Sequence, residues 1–368
     1  MATRNLMARK EIESENGYSR ISRIKIFAVI FLAVTAVASA LATLTIDLGS
    51  MSFFDVIRVI FDRDNPDNTR SQVILVWDIY LPRIASGIIA GFALGVAGAV
   101  MQCVLRNPIG SPYTLGISNA AAFGASLGIV MRGGEVVGQS HASIVISNPY
   151  IVTGSAFLWA MIGTGIIIAL VKITKVDANT IVLAGVAISS IFAAGISALQ
   201  YIYNDYALSA IVFWQFGSLG KATWSELALT AAVVIPAMAY FFWRRWDYNA
   251  LDSGPDVARS LGVNVERLRI VSMVLSAVVT AVVVSFMGII AFVGLLGPHM
   301  VRLIIGNDHR YLIPGSMLLG AIILLIADCV GQCAFDFTLP VGIITSFLGG
   351  PLFLFLLIRG YRRRGVLT

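Results

Sequence analysis

Ten separate stretches of this sequence are almost wholly apolar, and that pattern leaves few folds open. They are Ile24–Ile46, Leu81–Leu105, Leu115–Met131, Tyr150–Val171, Thr180–Tyr201, Leu227–Trp243, Ile270–Ile290, Phe292–Ile305, Leu312–Val330 and Val341–Ile358. Most approach the ~20 residues that a helix needs to cross a bilayer. In hydrocarbon every backbone polar group must be satisfied within the chain, so runs of this kind become helices rather than open strands. Residues are 58% hydrophobic and only 12% charged, with a mean hydropathy of +0.85. That excludes a soluble globular domain, and the fold class expected is an all-α polytopic membrane protein with ten transmembrane helices.

Length alone leaves one run in doubt. Phe292–Ile305 reaches only ~21 Å at 1.5 Å per residue, against a hydrocarbon core of ~30 Å. Charge decides the matter. With ten crossings and a cytoplasmic N-terminus, 20 of the 26 Lys and Arg residues fall inside, leaving Arg58, Arg63, Arg70, Arg83, Arg132 and Lys221 outside. Nine crossings would put Arg362, Arg363 and Arg364 outside, against the positive-inside rule. The expectation is a cytoplasmic segment 1–23, a membrane domain 24–359 and a basic cytoplasmic tail 360–368, in the cell membrane with Arg132–Pro149 external. The +6 net charge is topological, since the basic residues cluster beside apolar runs; nucleic acid is not an expected partner. Ala40-Leu41-Ala42 resembles a signal cleavage site, but the apolar run continues to Ile46, so an uncleaved first span is expected.

Among these runs Asn249–Arg269 stands apart as polar. It reads as two short helices: Ser253 as N-cap with Asp256 closing a capping box, Pro255 in the first turn, and Gly262 as a left-handed stop. Asn264 then caps a second turn carrying Glu266, Arg267 and Arg269. Val257 and Leu261 share one face. A folded, charged helical pair held on one side of a membrane is a surface for a soluble partner. Two further short helices are expected outside the spans, one in Asp47–Tyr80 opened by a Ser52–Asp55 capping box, the other within Ala207–Gly220.

Several chemistries are missing. The span interiors hold few ionisable groups, Asp328 and His299 apart, which weighs against a proton- or sodium-coupled carrier. His141, His299 and His309 lack metalloprotease spacing, and Cys103, Cys329 and Cys333 lack metal-type spacing. Gln215 and Ala222 spoil a phosphate-loop reading around Gly220-Lys221, so ATP and Mg²⁺ are expected on a partner and no cofactor on this chain. Gly87, Gly91, Gly95 and Gly98 make the second span a small-residue ridge suited to close helix packing.

Six segments together resemble the FecCD-type permeases of ATP-binding-cassette importers for iron chelates, haem and cobalamin. They are Leu81-Pro82-Arg83, Gly95–Ala125 with its Arg106-Asn107-Pro108 turn, Leu183–Ala187, Asp256–Arg269, Phe292–Gly315 and Leu339–Arg359, in the family's order. The resemblance implies a permease subunit that pairs as a homodimer, binds two ATPase subunits and receives cargo from an external binding protein. It makes Asp256, Val257, Arg259, Leu261, Gly262, Glu266 and Arg267 the ATPase-coupling set. Arg83, with Arg70 or Arg63, becomes a docking site for the binding protein; Tyr80 and Gln332 stand where similar permeases carry further docking arginines. A path on the dimer axis between the fifth and tenth spans is implied, with Gly185, Ser189, Ser190, Thr345 and Ser346 as small lining residues. Asn107 and the Asp177–Thr180 turn, including Asn179 and Thr180, are the inner gate. The cargo expected is an iron–siderophore type of chelate, with cobalamin, haem or another metal complex as alternatives and a stand-alone secondary carrier as the rival class.

Overall fold

The computed structural model describes residues 2–46, 51–63, 65, 68–131, 149–174, 178–334 and 337–365. The expected external loop over 132–148 and Asp177 lie outside them. All ten apolar runs fold as helices. In chain order the α-helices are α1 (Ala2–Ile46), α2 (Phe53–Phe61), α3 (Arg70–Ile74), α4 (Leu81–Val104) and α5 (Ile117–Met131). Next come α6 (Pro149–Thr174), α7 (Ala178–Ile202), α8 (Asp205–Gln215), α9 (Trp224–Trp243) and α10 (Arg245–Asp252). The last are α11 (Pro255–Ser260), α12 (Val265–Met287), α13 (Val293–Ile305), α14 (His309–Cys333) and α15 (Val341–Gly365). Among the described residues, seven helices are long and apolar enough to span a membrane; the runs in α5, α13 and α15 form shorter apolar helices.

The second span starts earlier than its sequence suggests. Thr69 caps α3, and one continuous helix runs from Arg70 to Val104 through a π-helical stretch, Leu75–Tyr80. Pro82 cannot donate an i−4 backbone bond, and the wider turn just before it accommodates that gap. The Ser52 capping box of α2 forms as expected. The first helix likewise takes in the polar leader as well as the apolar run.

Helix α4 is the hub, packed against α14, α12, α13 and α9. Its small residues are what allow this. A Cβ on Gly91 would run into the backbone of Gly320 and Ala321, one on Gly95 into the Ser316 carbonyl, and one on Gly98 into Gly294. Backbones this close gain dispersion contacts that larger side chains would forbid. α5, α6 and α7 form a second group, while α1 covers α14. The packing explanation of the glycine ridge is the one the structure carries.

Candidate coupling site and its helical joint

The polar segment between α9 and α12 is built from three pieces rather than two. α10 follows α9 directly, and its C-cap is Ser253. The expected N-cap role of Ser253 is therefore corrected: Gly254, at φ +127°, precedes α11, with Pro255 at its first position. Proline is pre-set in φ for the first helical position, and glycine before it supplies the reversal out of α10 that leaves Ser253 in the preceding helix's cap. The stop at Gly262 forms as read from sequence, at φ +83°. The Val263 N–H donates to the Ala258 carbonyl and the Gly262 N–H to the Arg259 carbonyl, a Schellman closure. Asn264 accepts from the Arg267 N–H and starts α12. The second "short helix" is thus the first turns of a full span.

What this knob presents is clear. Ala258 is buried beneath it, whereas Val257 is 45% exposed and Leu261 67%. Arg259 donates to Asp256 at 2.8 Å across one turn, and Glu266 and Arg267 are exposed. Two apolar side chains standing beside a charged pair on a short rigid element form the kind of surface a cleft can grip.

The knob is held to the bundle by a joint that sequence reasoning missed. Asn249 of α10 accepts from the His309 N–H at 2.7 Å and donates its own amide to Asp308 at 3.0 Å. Arg310 clasps the same carboxylate, Nη2 lying 2.6 Å from it. Burial pushes the Asp308 carboxyl up, but hydrogen bonds from Arg310 and Asn249 outweigh it and hold the pKa at about 2. Beside it Tyr248, wholly buried, hydrogen-bonds Ser272 of α12 at 2.8 Å. Burial drives its phenol pKa up. α10 is thereby fastened to the start of α14 and to α12. The only sequence signal was Asp308-His309-Arg310 opening a span, which reads as an ordinary helix start.

At the far end of the α4–α14 pair, ~30 Å away by helix rise, Arg83 is turned into the bundle. Its Nε and Nη2 donate to the two Asp328 oxygens at 2.7 and 3.0 Å, and Gln332 donates to the same carboxylate at 3.0 Å. The two ionic side chains are 14% and 3% exposed. A guanidinium engaged in this way has little left for an external protein. Arg70, exposed at the head of α3, is the basic residue of the expected docking pair that faces solvent.

The expected gate residues are only partly together. Asn107 is buried, and its side-chain oxygen accepts from the Ile109 N–H at 3.0 Å, closing its own turn. The loop after it lies on α7: a Cβ on Gly116 would meet Ser189, and one on Gly185 would meet Leu115. Thr345 is buried; Ser346 is solvent-facing and donates to the Gly342 carbonyl. Thr180 is exposed at the start of α7, as is Ser190 further along it, while the placement of the Asn179 side chain is outside what is described. The main packing partners of α7 are α5, α6 and α8, and those of α15 are α14 and α13. Phe292, in the left-handed region at φ +65°, is a second residue that sequence reasoning passed over. A bulky side chain rarely holds that conformation, and here it packs between Tyr113 and Gly349.

Comparison with known proteins agrees along nearly the whole chain. The sequence pattern of the FecCD transport family matches residues 25–359. A protein of Methanocaldococcus jannaschii assigned as an ABC transporter permease is 46% identical, covering 94% of this chain and 98% of its own. The hemin transport system permease protein of Yersinia pestis is 34% identical over 91% of this chain and 96% of its own. A cobalamin import system permease protein of Halobacterium salinarum is 35% identical over 77% and 73%. Among solved structures, an inward-facing transporter assigned to the metal-chelate type of ABC transporter superposes with a TM-score of 0.76. It is 27% identical, covering 90% of this chain and 98% of that one.

Proposed function

Because this chain belongs to the FecCD transport family, we propose that it is the permease of an importer for an iron chelate of siderophore type. Cargo is delivered by an external binding protein, and two ATPase subunits drive transport from the cytoplasmic side. The observation that carries this reading is the α11 knob, with Val257 and Leu261 uncovered beside the Asp256–Arg259 pair. Glu266 and Arg267 extend the same polar surface. The knob closes into an ATPase cleft, and the joint at Asn249 and Asp308 carries that motion to α14 as well as to the flanking α9 and α12.

Two copies of the chain enclose the path. α7 and α15 each expose an apolar face with small polar residues, Ser190 on one and Ser346 on the other. Lipid covers an apolar face equally well, but the two helices pack on different partners within the chain. A homodimer brings both faces to one axis. Ser189, Ser190 and Ser346 then line the path, while Thr345 is buried within the chain; Asn107, Asn179 and Thr180 stand at its inner mouth. With Arg83 engaged by Asp328, binding-protein docking falls to Arg70, and Arg83 fixes the helix that carries it.

The test is ATP-dependent uptake into proteoliposomes holding this permease, its ATPase and its binding protein. A ferric siderophore, haem and cobalamin are each supplied in labelled form. Saturable uptake of the siderophore above the other two is expected. Uptake of haem or cobalamin instead overturns the cargo assignment, and uptake that needs no ATPase overturns the class.

A further inference from the structure

Cys103, Asp252 and His309 belong to three different helices, α4, α10 and α14, and meet where the coupling segment joins the bundle. One ligand-type atom from each lies within 4.8 Å of the other two. We propose that these three side chains form a binding site for a borderline-soft divalent transition metal, zinc or a divalent ion of similar size, which clamps α10 to α4 and α14.

The geometry is close to what such an ion requires. A point exists within about 2.8 Å of all three atoms when none is more than 4.8 Å from another. Zinc takes sulfur, nitrogen and oxygen ligands at ~2.0–2.3 Å, so inward shifts of ~0.5–0.8 Å complete the site. The donor set itself is selective. A thiolate, an imidazole and a carboxylate suit zinc and its neighbours rather than magnesium or calcium, which take oxygen alone. Their two negative charges neutralise a dication. Cys103 gives up its thiol proton to solvent as the sulfur–metal bond forms.

A second observation comes from His309. It is fully buried; its Nδ1 lies 3.2 Å from the Asn249 oxygen and 3.5 Å from an Asp252 oxygen, while Nε2 has no hydrogen-bond partner among the described residues. A buried ring with an unused nitrogen is an exception that asks for a ligand. The Asn249 oxygen meanwhile supplies the outer contact that fixes the orientation of a metal-bound histidine. Cys103 is buried, its sulfur otherwise directed at the Tyr248 carbonyl. Asp252 reaches solvent, giving an ion a way in. Since α10 leads directly to the knob, an ion here stiffens the element through which an ATPase would act. The site does not depend on the identity of the transported cargo.

The test uses the full-length permease alone in nanodiscs, its affinity tag removed and Cys329 and Cys333 replaced by serine. Co²⁺ is titrated first, because thiolate ligation gives a near-ultraviolet charge-transfer band; Zn²⁺ is then used to displace it. One equivalent per chain is expected, with the band lost in Cys103→Ser. Asn249→Ala is expected to weaken binding ~10–100-fold, as loss of an outer contact does. Hydrogen exchange in Arg245–Asp252 is expected to slow on adding Zn²⁺. Absence of saturable one-to-one binding in the parent protein overturns the proposal. So does a charge-transfer band undiminished in Cys103→Ser or in Asp252→Asn, the latter variant altering only the solvent-reaching ligand.

Discussion

Arg83 and Asp308 show how much a charged residue's role depends on what it meets. Arg83 lies in a family motif, yet its guanidinium forms a two-pronged pair with Asp328 that ties α4 to α14. Removing one partner of a buried pair leaves an uncompensated charge, at a cost of ~3–5 kcal/mol. Arg83→Ala should therefore lower the stability of the purified permease by that order, measured by denaturation in mixed micelles. Replacing Arg83 and Asp328 together by apolar residues of similar volume should recover most of the loss. Asp308 makes a prediction in pH. Its folded pKa, about 2, lies below the unfolded value of ~3.9. The joint therefore contributes its full stability above the unfolded value and loses it as pH falls through the folded one. Asp308→Asn should lower the melting temperature at neutral pH and flatten its decline between roughly pH 4 and 2. An unchanged acid profile would place the sensitivity elsewhere.

Helices differ in how plainly the sequence announces them. All ten apolar runs are helical, because hydropathy over ~20 residues overwhelms local detail. The stop at Gly262 and the start at Asn264 were also readable, since a left-handed glycine and an asparagine cap each have one strong local meaning. Three features were not readable. The helix before Leu81 is apolar over Val73–Trp77, but Asp78 and Pro82 interrupt the run, and it joins α4 only through the π turn that follows the Thr69-capped α3. Ser253 looked like a cap because its spacing to Asp256 is right, but the chain uses Gly254 to turn out of α10. The Asn249 joint unites residues 59 and 60 positions apart, which no local pattern encodes. Two glycines give contrasting expectations. No atom of the described residues lies within 4 Å of a Cβ on Gly262, so Gly262→Val pays only for its backbone conformation, ~1–2 kcal/mol. Gly95→Val would strike the Ser316 carbonyl of α14, and overpacking of that kind costs ~1–3 kcal/mol or more. Denaturation should find the Gly95 variant the less stable. Loss of ATPase binding out of proportion to its smaller stability loss should mark the Gly262 variant.

As a whole, the molecule is a multi-pass transport subunit of the FecCD family, whose relatives include permease proteins of hemin and cobalamin import systems. α4 and α14 pack backbone to backbone through the bundle, with an ion pair at one end and the Asn249–Asp308 joint at the other. The proposed contact surfaces lie around that pair: the knob, the exposed faces of α7 and α15, and the basic head of α3. The central claim is that the knob is where an ATPase drives this permease. Its most direct test is co-purification of the ATPase with the wild-type chain, Arg259→Glu and Leu261→Glu, followed by cargo-stimulated ATP hydrolysis in proteoliposomes. Both variants should insert and fold normally, lose most of the bound ATPase and lose the stimulation. Wild-type yield of the complex together with wild-type stimulation in both variants would contradict the account.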